Sequence, residues 1–290
     1  MNTNLKNVEK IYKEYDIKYM YKMEQESNTT ITETKPEDTI DTSEAQVSSN
    51  SQVNTEEENK QPKKKVIISL PGDNFSSKFL ISWSNILITL WSSNKYDIAI
   101  STGTGSFVSF VRMQTLGLDV LRGKDQKPFN GEPYDVWVTI DSDIIFTSEQ
   151  VIELIENTTV HPVVSGLYRM QDLQNFAVVK TWDNEYFAKN GTFEFLNQEK
   201  LDAWKKETEL KYMPVSYTGL GFFACRKEVL DKMEYPYFNG ELKEINGENG
   251  VIIRDISSED VNFCNNITKA GFEVVINTEL RVGHMKKLII

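Results

Sequence analysis

An α/β domain, Rossmann-like, with a mostly parallel central sheet flanked by helices, is the fold this 290-residue sequence predicts. Three observations carry the expectation. Apolar, β-branched runs at VIISLP, YDIAIS and YDVWVTI are each followed by a helical pattern of longer period, and that alternation favours a parallel sheet with helices on its faces. The stretch 27–65 is polar and acidic, lacks aromatics, and cannot bury enough surface to offset its ordering entropy. Finally, no run reaches the roughly 18 uninterrupted apolar residues of a membrane span.

The chain divides accordingly into three parts. Residues 1–26, with Leu5, Ile11, Tyr12, Tyr15 and Tyr19 among alternating charges, suit either a short amphipathic helix or a loosely held tail. Residues 27–65 form an expected disordered acidic linker, and 66–290 the folded domain. The N-terminus has no apolar core of signal-peptide length, so a soluble, cytoplasmic protein is expected. Cys225 and Cys264 lie in apolar or helical contexts and read as buried thiols in a reducing compartment. A formal net charge of −11 disfavours nucleic acid as a partner, because phosphate affinity rests on lysine and arginine displacing counterions.

Within the folded part, Ser76-Ser77 caps a helix over KFLISWSNILITLW. After YDIAIS a glycine-rich turn leads into the helical FVSFVRMQTLGL. The strand YDVWVTI precedes the helix TSEQVIELIE, with Ser148 or Thr147 as its cap. VVSGLYR and FAVVKTW read as strands, followed by an irregular region with a helix near 198–207. VSYTGLGFFACRK, a helix over about 258–270 and the strand EVVIN close the domain. The segment NGELKEINGENGVIIRD reads as a long glycine-rich loop, either a flexible lid or an uninvolved insertion.

Chemistry enters at IDSD, where a strand ends in two aspartates one residue apart. In open parallel sheets ligands bind beyond the carboxyl ends of the strands. Asp141 and Asp143 there can offer oxygen ligands to a hard divalent cation, or cap their own backbone in an Asx turn. Glu259 and Asp260 open a helix in SSED, which also reads as a capping box with Ser257 accepting and Asp260 reaching back. His284 follows the last strand and is either a ligand or a backbone-bonded histidine.

SLPG, IDSD, TGLGFFACR, SSED and GHMK occur here in an order that resembles the GT-A class of nucleotide-sugar-dependent glycosyltransferases, over about residues 66–287. The resemblance implies a GT-A fold and Mn2+ or Mg2+ as cofactor. It implies a nucleotide-diphospho-sugar donor and a hydroxyl acceptor on a glycan, lipid or protein. It makes Asp143 the direct metal ligand, with Asp141 facing the donor or sharing the metal through water, and His284 a further ligand. Asp260 becomes the general base of an inverting reaction, with Glu259 as alternative, and retention stays open. Pro71, Gly72 and Asp73 fall where such enzymes receive the nucleoside, although a tight turn needs the same proline and glycine. Arg112 matches an arginine near the nucleotide, or is an outward surface residue.

Tyr217, Gly219, Gly221 and Phe222 fall where the family walls its sugar pocket, the glycines leaving room; core packing is the alternative for Phe222 and Phe223. Trp182, Tyr186 and Trp204 are candidates for stacking on an acceptor sugar. Two other functions compete. A sugar-1-phosphate nucleotidyltransferase needs a glycine-rich basic signature after the first strand, which LPGDNFSSKF lacks. A catalytically silent nucleotide- or glycan-binding module would retain the fold without turnover.

Overall fold

The structure is a computed structural model, and it describes residues 62–247 and 250–286. The expected helix in 1–26 and nearly all of the expected linker lie outside the described residues. Ordered strand begins at Lys64, two residues ahead of the expected boundary, because Lys64 and Lys65 already pair with the neighbouring strand.

The first half follows the expected alternation. Strand β1 (Lys64–Pro71) leads to α1 (Ser77–Ser93), β2 (Tyr96–Gly103), α2 (Val108–Thr115) and β3 (Val136–Ile140). After β4 (Ile144–Ile145) come α3 (Ser148–Asn157), β5 (Val163–Leu167) and β6 (Asn175–Val179). Ser76 caps α1 by accepting from the Phe79 N–H. Thr147 and Gln150 form a reciprocal capping box on α3.

The second half is less regular. It runs through α4 (Asn184–Asn190), β7 (Phe195–Asn197), α5 (Gln198–Thr208), β8 (Tyr212–Pro214), β9 (Tyr217–Thr218), β10 (Phe222–Arg226) and α6 (Lys227–Lys232). The segment expected to be a glycine-rich loop is instead an antiparallel hairpin of β11 (Glu241–Asn246) and β12 (Ile252–Ser257). Strand β11 alternates partly buried and exposed residues, a period-2 pattern that the glycines flanking the hairpin strands obscure in the sequence. Helix α7 (Glu259–Lys269), β13 (Val275–Arg281) and β14 (Gly283–His284) complete the described chain.

Seven strands form one mixed sheet in the order β2-β1-β3-β10-β5-β13-β8. Their pairings make β2, β1, β3, β5 and β13 run one way and β10 and β8 the other. Helices cover both faces. On one side Phe79, Ile86 and Leu90 of α1 and Val151, Leu154 and Ile155 of α3 pack on Val66, Ile68 and Val138. On the other, Met113 of α2 and Phe263 and Ile267 of α7 pack around Trp137, Phe223 and Cys225. The alternation of Val136, Trp137 and Val138 between the two cores follows from the period-2 geometry of a strand buried on both faces. No described helix is long and apolar enough to cross a membrane.

The chain winds from β1 outward to β2 and then returns to place β3 on the other side of β1. That reversal opens a crevice beyond the carboxyl ends of β1 and β3, the position where open α/β sheets receive ligands. Pro71 and Asp141 stand at those two ends.

Candidate active site

Arg112 organises one side of the crevice. The end of its helix is held to the sheet by a buried relay in which Trp137 Nε1 donates to Ser69 Oγ at 2.8 Å and that hydroxyl donates to the Thr115 carbonyl at 2.9 Å. From this base the Arg112 guanidinium donates to both Asp141 oxygens at 3.1 Å and through Nε to Glu259 at 3.3 Å. A single buried cation thus ties the first aspartate of IDSD to the first acid of SSED. Burial alone would lower the Arg112 pKa, but Asp141 and Glu259 outweigh it and hold the group further above its ordinary value. The arginine is therefore not the outward surface residue allowed by its sequence.

Asp143 faces a different set of partners. Strand β14 pairs antiparallel with β4, setting His284 opposite Ile144, next in the chain to Asp143. His284 Nε2 is 3.1 Å from Asp143 Oδ2, and Lys286 donates to the same oxygen at 2.7 Å. Burial would raise the Asp143 pKa, but the hydrogen bonds from His284 and Lys286 outweigh it and hold the carboxyl down at about 2. On the far side of the ring, Nδ1 lies 2.6 Å from the Arg169 carbonyl oxygen. A carbonyl only accepts, so Nδ1 carries the hydrogen and Nε2 is left facing a carboxylate. That arrangement is complementary when the ring is an imidazolium, or when a cation sits between nitrogen and oxygen.

Among the described residues, no group of three or more His, Cys, Asp or Glu side chains is placed to hold a metal ion. Asp143 and His284, two of the expected ligands, are brought together and would offer a cation one oxygen-bearing and one nitrogen-bearing side chain. Such a set suits a cation that completes its shell with water and phosphate oxygens, and does not suit a closed structural site. Asp141, expected to face the donor or share a metal through water, has both oxygens engaged by Arg112.

Asp260 sits at the N-terminal end of α7, but not as the box expected from SSED. Its Oδ2 accepts from Tyr217 Oη at 2.7 Å, and its Oδ1 from the Ser258 hydroxyl and the Val261 N–H. Ser257 bonds instead to the Glu241 carbonyl and Asn262, because the hairpin has brought β11 beside it. Burial and the neighbouring Asp260 push the Tyr217 phenol well above its usual pKa, so it remains a donor.

Gly72, with φ of 119°, brings the turn after β1 against the residue between the two aspartates, where an added Cβ would lie 3.1 Å from Ser142 Oγ. Asp73 is exposed and accepts from Asn74. Gly219 and Gly221 do not open a vacant sugar pocket. The space beside them holds Tyr168, whose hydroxyl would lie 2.0 Å from a Cβ at Gly219 and accepts from the Gly221 N–H. Phe222 and Phe223 are fully buried core residues.

Tyr168 and Lys286 are the contributors sequence reasoning missed. Tyr168 is the next-to-last residue of the run VVSGLYR and directly follows β5, so its place at the carboxyl end of a strand was the available signal. Lys286 was visible only as the basic residue of GHMK.

A cleft of about 1420 Å3 opens on the other side of Asp260, with Ser258 and Val261 in its wall. Trp182, Phe193, Phe272 and the hairpin residues Lys243 and Asp255 also line it. Trp182 lies 6.1 Å from the Tyr217 ring, which joins the cleft to the acidic pair. Of the other two stacking candidates, Trp204 is buried in the cleft wall and Tyr186 lies on α4, among neither the acids nor the cleft-lining residues.

No protein-family model matches the chain, and no curated protein matches it. Among solved structures it is similar to A197 from STIV, at 18% identity over 77% of this chain and 86% of that one, with a TM-score of 0.42. It is also similar to glucosyl-3-phosphoglycerate synthase from Mycobacterium tuberculosis in complex with Mn2+, UDP and glucosyl-3-phosphoglycerate. That likeness is 13% identity over 78% of this chain and 73% of that one, with a TM-score of 0.35. The same enzyme with Mn2+, UDP and phosphoglyceric acid gives 13%, 78%, 72% and 0.35. Likeness at this level assigns no activity to the chain.

Proposed function

We propose that the protein is a metal-dependent glycosyltransferase of the GT-A type, moving a sugar from a nucleotide-diphospho-sugar to a hydroxyl acceptor on a glycan or glycoconjugate. The observation that carries the reading is the meeting of Asp143 and His284 at 3.1 Å, from positions 141 residues apart, at the mouth of the β1/β3 crevice. Asp143 and His284 would hold Mn2+ or Mg2+, which when bound supplies charge neutralisation to a diphosphate leaving group. Lys286 adds a fixed positive charge beside the same carboxylate.

In this reading the nucleoside enters along Pro71, Gly72 and Asp73. Arg112 holds Asp141 toward the donor, and Gly219 and Gly221 act by admitting Tyr168 under it. The acceptor enters from the aromatic cleft. Its hydroxyl oxygen attacks the anomeric carbon, the bond from that carbon to the phosphate oxygen breaks, and the hydroxyl proton passes to Asp260, or to Glu259 as the alternative. Asp260 Oδ1 already accepts two hydrogen bonds and Oδ2 one, so the attacking hydroxyl would take the remaining acceptor site of Oδ2 or displace Tyr217 from it.

That same engagement favours one second reading, a nucleotide- or glycan-binding module without turnover. A panel of nucleotide sugars assayed with and without manganese separates the two. Metal-dependent release of nucleoside diphosphate supports the transferase, and saturable binding without release supports the module. In the transferase, Asp143→Ala is expected to lower metal-dependent release by about a hundredfold or more while cooperative unfolding is retained. Near-normal activity in that variant removes the assigned role.

A further inference from the structure

The two edges of the central sheet are finished differently. Strand β8 is three residues long, ends in Pro214 and follows Lys211, the usual devices that stop an edge from pairing with another chain. Strand β2 shares only the preceding lysine, Lys95, and has neither the short length nor the proline. It is eight residues long, contains no proline, carries Asp97 as its one charge, and pairs on one side only among the described residues. Half of its backbone N–H and C=O groups therefore point outward without a described strand to meet them.

The elements on either side of this edge are apolar where they should be polar. Helices α1 and α2 both pack against β2, from opposite faces of the sheet. Leu80 and Trp91 on α1, Ile100 on β2, and Phe107, Val108 and Phe110 at the start of α2 are each about half exposed or more. With roughly 150–250 Å2 on each large side chain, the exposed portions amount to about 600 Å2 of apolar surface. This sum, spread over both sides of the edge, is at the upper end of the apolar patch that a monomer exposes, and a stable interface buries about 800 Å2 on each partner. The paired backbone of β2 would supply the remainder.

Charge identifies the occupant. From Ser77 to Phe110 the only ionisable side chains of lysine, arginine, aspartate or glutamate are Lys78, Lys95 and Asp97, in a chain whose formal charge is −11. This is the face on which two copies of an acidic protein approach with the least repulsion. An anionic lipid surface, by contrast, is recognised by clustered lysine and arginine, which the segment lacks.

We infer that β2 is a dimerisation edge, pairing antiparallel with β2 of a second copy about a two-fold axis perpendicular to the sheet. That symmetry joins the two sheets into one and sets α1 beside its counterpart and α2 beside its own, so the interface is isologous.

The test is the mass of the full chain in solution by sedimentation velocity and light scattering across a concentration series. A species of two chains is expected. Ile100→Lys places a charge on the pairing strand and is expected to weaken the dimer by at least about a hundredfold. Trp91→Glu, on an exposed helical position, is expected to weaken it while the far-UV circular dichroism spectrum and cooperative unfolding are retained, which guards against misfolding as the cause. The inference is overturned by a monomer at the highest soluble concentration, by a dimer that survives both substitutions in folded protein, or by a monomer that co-sediments with phosphatidylserine vesicles. None of these outcomes depends on catalytic activity.

Discussion

Arg112 is the residue on which the two acidic motifs converge. A guanidinium presents a rigid fork that matches one carboxylate bidentately and still has Nε free for another, which an ammonium cannot reproduce. Its side chain is 7% exposed, so the charge has little access to water and depends on Asp141 and Glu259 for compensation. Arg112→Met is therefore expected to lower stability by about 3 kcal/mol in urea unfolding, because it leaves two neighbouring carboxylates without their cation. Arg112→Lys should recover only part of that loss. Equal stability of the lysine variant and the native protein would show that the fork geometry is immaterial. The sequence placed this arginine one or two turns into a helix after a glycine-rich turn. It could not show the direction of the side chain, since Asp141 and Glu259 lie 29 and 147 residues away.

At the scale of elements, the segment from β9 to β10 works together with the end of β5. Gly219 and Gly221 are small because Tyr168 crosses over them, and the tyrosine is in turn pinned by the Gly221 N–H. Burial pushes the Tyr168 phenol well above its ordinary pKa, with Asp141 adding to the effect, so the ring stays neutral beside the acids. Gly219→Ala is expected to cost about 2 kcal/mol or more, since its Cβ would collide with the Tyr168 hydroxyl. In a Tyr168→Phe background the cost should fall by at least ~1 kcal/mol. A double-mutant cycle in urea measures this coupling, and additive costs would refute the contact. The hairpin of β11 and β12 makes a complementary point. Its glycines suggested a mobile loop, whereas ladder pairing from Glu241 opposite Ser257 to Asn246 opposite Ile252 makes it a ribbon that walls the cleft.

For the whole molecule, the sheet separates two cores, and both cysteines lie in the one beneath α7. Burial pushes the Cys225 thiol well up and the Cys264 thiol up to about 12. Since the thiolate is the reactive species, neither should react with a disulfide reagent such as Ellman's in the native state at pH 8. Both should be titrated once the protein is unfolded in guanidinium. Rapid labelling of folded protein would mean that this core opens far more readily than its packing implies.

Local patterning was enough to read the parallel βα alternation, the caps to within a residue at Ser76-Ser77 and at Thr147 or Ser148, and the acids at a strand end, while core packing of Phe222 and Phe223 was one of two readings. These follow from periodicity and hydrogen-bonding needs within a few residues. What only the tertiary structure decided is how distant segments meet. The β14–β4 pairing brings His284 to Asp143, the Arg112 fork joins Asp141 to Glu259, and Tyr217 takes up Asp260. Those contacts arise from sheet order and register, which are set by the packing of the whole chain and leave no local periodicity in the sequence.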